Sequence, residues 1–154
     1  LMNNGMMWFD PRPGQPNSMA GGAQPLANMC PLILGRDGRP DLAIGAAGGR
    51  SIFPALLQLI SYVVDYGMTL EEAFHTPRVD ASTPTIKVNA AAAPDVAATV
   101  ARDFPVQIVE DTLYPVNFAI ASAAARDPAT GGTVGMAHPT SPWSGVAVGG
   151  PADA

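Results

Sequence analysis

The run Asp41-Leu-Ala-Ile-Gly-Ala-Ala-Gly-Gly-Arg50, continuing into Ser51-Ile-Phe-Pro-Ala-Leu-Leu-Gln-Leu-Ile60, decides how this chain is read. Leu42, Ala43 and Ile44 form a short apolar run that predicts a buried strand. Gly45 to Gly49 make a corner of small residues. An amphipathic helix over 51–66 should follow, because Ile52, Leu56, Leu59, Ile60 and Val63 recur at helical spacing. Such a corner lets backbone N–H groups at a helix start approach a ligand with no side chain in the way. That suits a phosphate, or the oxyanion that develops when an amide is attacked. Taken alone, glycines between a strand and a helix are ordinary turn residues.

The flanks extend this reading. Pro31-Leu-Ile-Leu34 is a second apolar run, and Asp37-Gly38 supplies the turn between the two, which predicts a β-hairpin. Pro54 is acceptable only in the first turn of the helix, and Gly67 ends it. Thr69-Leu-Glu-Glu72 fits a capping box for a short second helix that stops before Pro77. Further strands are expected at 85–88, 106–109, 118–124 and 133–137, a small helix at 95–102, and a hairpin turn at 127–132. The order is two strands, two helices, a strand, a helix and three strands, a mixed α+β pattern. Residues 1–25 are rich in Gly, Pro, Asn and Met and predict irregular loop, which in a larger protein would wall or cover a site. The tail from Pro139 is expected to be loosely held.

At 154 residues and 47% hydrophobic content, one domain with a sizeable core is possible. The net charge of −5 and eight scattered Lys and Arg residues argue against nucleic-acid binding. The apolar stretch 56–64 is too short and interrupted to span a bilayer, so no membrane is expected. Cys30 is the single cysteine, which removes any internal disulfide, and it reads as a small buried hydrophobe beside Met29 and Pro31. No metal ligand set or cofactor motif stands out, and compartment is left open.

Four ordered segments carry a specific resemblance: Asn3-Asn4-Gly5-Met6, Gln24-Pro-Leu-Ala-Asn-Met-Cys-Pro31, Gly45-Ala-Ala-Gly-Gly-Arg50, and Tyr66-Gly-Met-Thr-Leu-Glu-Glu-Ala-Phe-His-Thr-Pro-Arg78. In this order and at these separations they resemble the small subunit of the γ-glutamyltranspeptidase family of N-terminal-nucleophile hydrolases. The motifs run from Leu1 to about Ala81 and thin to fold-level similarity beyond. The resemblance implies that residues 1–154 form a single domain, the C-terminal portion of such a subunit, with 1–30 as a substrate-wall loop and 139–154 as a loose tail. The implied fold is part of a four-layer αββα sandwich, incomplete without upstream segments.

In the family a threonine freed by self-cleavage attacks the amide, its own α-amino group serving as base. This sequence opens downstream of where that threonine should occur, and Leu1 has no attacking atom, so the chain alone is expected to be inactive. The implied partners are the large subunit and the N-terminal part of the small subunit of the same precursor, with a small-molecule amide as substrate. Gly48 and Gly49 match the glycine pair whose N–H groups form the oxyanion hole.

The substrate-reading positions depart from the pattern. Where γ-glutamyltranspeptidases have Asn-Asn-Gln-Met-Asp-Asp-Phe, this chain has Asn3-Asn4-Gly5-Met6-Met7-Trp8-Phe9, so Trp8 replaces the Asp that pairs with the α-amino group of glutamate. The family's Ser-Ser-Met, which binds the α-carboxylate, becomes Ala27-Asn28-Met29. Asn4, Trp8, Ala27, Asn28 and Met29 are therefore the expected substrate-binding positions. The changes look like the branch of glutaryl-cephalosporin acylases and oxamate amidohydrolases. Arg12 suits that branch as a carboxylate ligand, or else is a solvated loop arginine. Glu71, Glu72 and His75 read as structural helix-end residues, Arg78 as a buried cation, and Trp143 as packing. Two alternatives stand beside an amidohydrolase: a true γ-glutamyl hydrolase or transpeptidase, and a non-catalytic structural or degenerate family member.

Overall fold

A computed structural model of the protein describes residues 5–112, 114–127 and 130–147. The hairpin is present as β1 (Leu32–Arg36) and β2 (Arg39–Ala47). Its turn has both Asp37 and Gly38 at positive φ, 51° and 74°, the backbone that a two-residue hairpin connection demands. After a 3₁₀ turn at Gly49–Ser51 comes α1 (Ile52–Val64), with Pro54 in its first turn, where the missing N–H breaks no helical bond. Gly67, at φ 68°, turns the chain out of the helix.

Helix α2 (Leu70–His75) carries the predicted capping box: the Glu72 N–H donates to Thr69 Oγ1 at 3.2 Å and the Thr69 N–H to Glu72 Oε2 at 2.8 Å. The Thr69 backbone N–H, then its hydroxyl, hold the Glu72 carboxyl below its ordinary range. The rest follows as β3 (Val79–Asp80), β4 (Ile86–Asn89), α3 (Pro94–Val100), β5 (Val106–Val109), β6 (Ile120–Arg126) and β7 (Thr133–Ala137). Strand β3 is the one addition to the expected order. The 1–25 loop holds a 3₁₀ turn at Gly5–Trp8.

Two sheets organise these elements. One has the antiparallel order β1-β2-β6-β7. The other has the order β3-β4-β5, with β4 and β5 parallel and joined through α3. Strand alternation gives the larger sheet two different faces. Leu42 and Ile44 on β2 and Ala121 on β6 point to the side covered by α1 and α2. There they meet Ile52, Leu56, Leu59, Leu70, Ala73 and Phe74. Burying this apolar set from water stabilises the packing of the two helices on the sheet.

On the opposite face, Ile33 lies beside Ala43, Ala43 beside Ala124, and Ala124 beside Gly135. Ile33 is 74% exposed, Ala43 and Ala124 are exposed, and Val146 rests against Gly135. Helix α1 also departs from simple amphipathicity, since Phe53, Leu57 and Val64 stand exposed on its outer side. Among the described residues no helix is long and apolar enough to cross a membrane.

Candidate active site at the strand-to-helix corner

Strand β2 runs straight into the glycine corner. Gly48 has φ 151° and ψ 16°, and Gly49 has φ 61°, both conformations that L side chains rarely adopt. A Cβ on Gly48 would stand 2.8 Å from the Cα and the Cβ of Ala119, so the corner is pressed against the chain entering β6. Gly49 opens the 3₁₀ turn, and the N–H groups that start such a turn have no acceptor within it. A Cβ built on Gly49 would meet Asn28 Nδ2 and Trp8 Cη2, each at 4.0 Å. The fold therefore brings Trp8, Asn28 and Gly49, widely separated in sequence, to one place.

Trp8 and Asn28 are both half-buried, and Asn28 Oδ1 is enclosed with no hydrogen-bond partner among the described residues. Ala27 and Met29 flank Asn28 on the extended approach to β1, and both are exposed. Asn4 lies outside the described residues. Arg12 is engaged elsewhere: its Nε and Nη2 bond the two carboxylate oxygens of Asp10 at 3.0 and 2.7 Å. That side-chain pairing holds the Asp10 carboxyl down to about 2 and uses up the guanidinium fork within the loop.

Residues not singled out in the sequence steady the corner. Ser51 Oγ donates to Asp80 Oδ2 at 2.6 Å, and the Ser82 N–H donates to Asp80 Oδ1 at 2.8 Å. Gln58 of α1 clamps Val79 by its side-chain amide, accepting from the Val79 N–H at 2.9 Å and donating to the Val79 carbonyl at 2.5 Å. These ties hold β3 in place. Two residues have no periodicity to read, and the strand forms because it pairs with β4, Val79 beside Val88 and Asp80 beside Lys87, while Gln58 of the neighbouring helix satisfies the Val79 N–H and carbonyl.

Behind the corner lies a buried polar cluster. Arg78 is 4% exposed, sits 5.8 Å above the Phe118 ring, and its Nη2 approaches His138 Nδ1 at 3.3 Å. A guanidinium only donates, so Nδ1 accepts and the imidazole proton lies on Nε2, which faces Thr140 Oγ1 at 3.0 Å and Asp111 Oδ2 at 3.3 Å. Burial lowers the Arg78 pKa, opposed by Asp111, Tyr62 and Asp80. Burial would raise that of Asp111, but the hydrogen bond from His138 and the Arg78 charge outweigh it and leave it lowered. His75 ends α2 as expected, its Nδ1 against the Glu71 carbonyl. Trp143, expected to pack, is 80% exposed, whereas Ser141 in the tail is buried. Cys30 packs at the edge of the main core. No group of three His, Cys, Asp or Glu among the described residues could hold a metal ion.

The chain is similar to several known proteins. It is 39% identical over 79 residues to the glutathione hydrolase proenzyme of Bacillus subtilis strain 168, covering 51% of this chain and 14% of the relative. It is 40% identical over 79 residues to the acylase ACY 1 proenzyme of Pseudomonas sp. strain V22, with the same coverage. The chain thus spans about a seventh of the length of these curated relatives. Among solved structures, a mutant of the Helicobacter pylori γ-glutamyltranspeptidase superposes with a TM-score of 0.73 at 27% identity, covering 91% of this chain and 81% of that one. The γ-glutamyltranspeptidase family profile matches residues 1–148, and the chain belongs to the γ-glutamyltranspeptidase family.

Proposed function

We propose that this chain is part of an amidohydrolase or acyltransferase that cleaves a small-molecule amide, with Gly48 and Gly49 as its oxyanion hole. The observation that carries this reading is the closeness of Gly49 to Trp8 and Asn28, which supports a site where backbone N–H groups and the two side chains act on one substrate. A threonine hydroxyl, brought by the upstream part of the same precursor, attacks the amide carbon while its α-amino group takes the proton. Negative charge collects on the carbonyl oxygen, and the N–H groups of Gly48 and Gly49 stabilise it. Collapse expels the amine, which leaves with the proton. Water then releases the acyl group, or an acceptor amine takes it.

Trp8 presents an indole where an ammonium-binding carboxylate would be needed, so the acyl part lacks an α-amino group. Asn28 keeps a polar side chain in the second wall, and Ala27 and Met29 complete it. The partners are the large subunit and the N-terminal part of the small subunit. Their strands cover the open face around Ile33, Ala43 and Ala124, completing a four-layer αββα sandwich. The known names among the relatives divide between glutathione hydrolases and an acylase. γ-Glutamyl substrates are the second reading, favoured by the hydrogen-bond donor that Asn28 keeps where the family has serine.

The test is hydrolysis of glutaryl and γ-glutamyl 4-nitroanilides by the complete precursor after self-processing. Preferential cleavage of the glutaryl compound is expected. A complete protein that assembles but cleaves neither would be a structural member instead.

A further inference from the structure

Trp8 stands on a loop of glycines, prolines and exposed side chains, yet its position is defined by hydrogen bonds converging on one residue. Asn17 Nδ2 donates to the Trp8 carbonyl at 2.6 Å, and Asn17 Oδ1 accepts from the Leu26 N–H at 3.0 Å. The Asn17 carbonyl also accepts from the Asp10 N–H at 2.8 Å, beside a bridge between Asp10 and Ser18. The partners fix the orientation of the amide, because a carbonyl requires the nitrogen and an N–H requires the oxygen. Leu26 lies two residues before Asn28. One carboxamide therefore joins the segment carrying Trp8 to the segment carrying Ala27, Asn28 and Met29.

Other bonds in this loop are local. Arg12 pairs with Asp10, Ser18 Oγ donates to the Arg12 carbonyl, and the Gln15 N–H donates to Ser18 Oγ. They stiffen residues 10–18 without touching the second wall. Asn17 is half-buried and spans nine residues in each direction, to Trp8 and to Leu26.

We propose that Asn17 is a positioning residue that sets the separation of the two acyl-binding walls, and so the selection of the acyl group. It rests on the function proposed above. Asn17 itself touches no reacting atom and acts through the Trp8 carbonyl and the Leu26 N–H. Losing it lets the walls drift apart before the transition state and at the transition state alike. Binding should then weaken with little change in the chemical step.

The experiment uses the complete, self-processed enzyme and three variants. Asn17→Ala removes both bonds, Asn17→Asp removes the donor to Trp8 while keeping the acceptor for Leu26, and Ser18→Ala breaks only loop-internal bonds. With glutaryl 4-nitroanilide, both Asn17 variants should raise KM by roughly tenfold and hold kcat within about threefold, while Ser18→Ala leaves KM near the parent value. Equal KM effects in Asn17→Ala and Ser18→Ala, or kcat falling as much as KM rises, would overturn the proposal. A fluorine spectrum of 5-fluorotryptophan-labelled enzyme, with the Trp8 signal assigned by Trp8→Phe, provides a readout without substrate. Asn17→Asp should shift or broaden that signal, and an unchanged signal contradicts positioning. If the parent cleaves no acyl anilide, the functional reading has failed, and the fluorine signal alone decides whether Asn17 holds Trp8.

Discussion

Gly48 packs directly against Ala119, so that a methyl group built on it would stand 2.8 Å from both the Cα and the Cβ of that residue. Its φ of 151° adds backbone strain to the collision. Gly48→Ala should therefore cost about 3 kcal/mol, measured by denaturant unfolding of the complete enzyme. Gly21→Ala is the comparison, because a Cβ there meets nothing within 4 Å. Equal losses in the two variants would show that the corner is not tightly held.

Trp8→Asp should restore a carboxylate where a substrate ammonium would sit. A well-made charged hydrogen bond contributes about 1.5–3 kcal/mol, so the ratio of kcat/KM for γ-glutamyl over glutaryl 4-nitroanilide should rise roughly tenfold to a hundredfold. An unchanged ratio would mean that Trp8 does not face the acyl group.

The Arg78, His138 and Asp111 cluster predicts a pH signature. The folded-state pKa of Asp111 is lowered from its ordinary 3.8, so its contribution is present above that value and lost as pH falls through the folded value. Asp111→Asn should destabilise the complete enzyme at pH 7, and the gap to the parent should close on acidification below about 3.8. Unfolding curves at several pH values check this. A gap that persists at the acid end would assign the loss to packing rather than charge.

Much of the fold was legible because local chemistry and tertiary structure agree. Asp37-Gly38 can hardly do other than turn, Thr69 and Glu72 cap each other, and Ile52, Leu56 and Leu59 line one side of a helix. The glycine corner and its two walls were legible only through the order of motifs. No periodicity says that Trp8 and Asn28 meet at Gly49, since that meeting depends on how a loop of irregular backbone is stitched. Nothing in the sequence sets the stitching residue, Asn17, apart from the other polar residues of the loop. Strand β3 and the His138 cluster were invisible for a related reason. Both rest on side-chain bonds between distant segments, Gln58 to Val79 and Arg78 to His138. The exposed Trp143 shows the opposite error, an aromatic assigned to packing on composition alone.

The open face of the larger sheet bears on how the chain behaves by itself. With Ile33 and the row beside it uncovered, the isolated 154-residue chain should be poorly folded and inactive, and co-expression with the upstream segments should yield a soluble complex. Calorimetry and size-exclusion chromatography make the comparison. A sharp melt of the isolated chain would contradict the need for a covering partner.

On the proposed function the amide is attacked at the Gly49 corner, and Gly49→Val set against Gly38→Val is the sharpest test of that placement. The two glycines have similar left-handed backbones, φ 61° and 74°, so the conformational strain is matched. They differ in surroundings: a side chain at Gly38 meets nothing within 4 Å, whereas one at Gly49 points at Trp8 and Asn28. The measurement is kcat per folded, processed enzyme for a glutaryl anilide. Gly49→Val should lower it at least about 100-fold, the loss typical of one oxyanion donor, while Gly38→Val costs stability and leaves kcat of the folded fraction unchanged. If both variants lose activity only in proportion to folded protein, Gly49 is a turn residue and the site lies elsewhere.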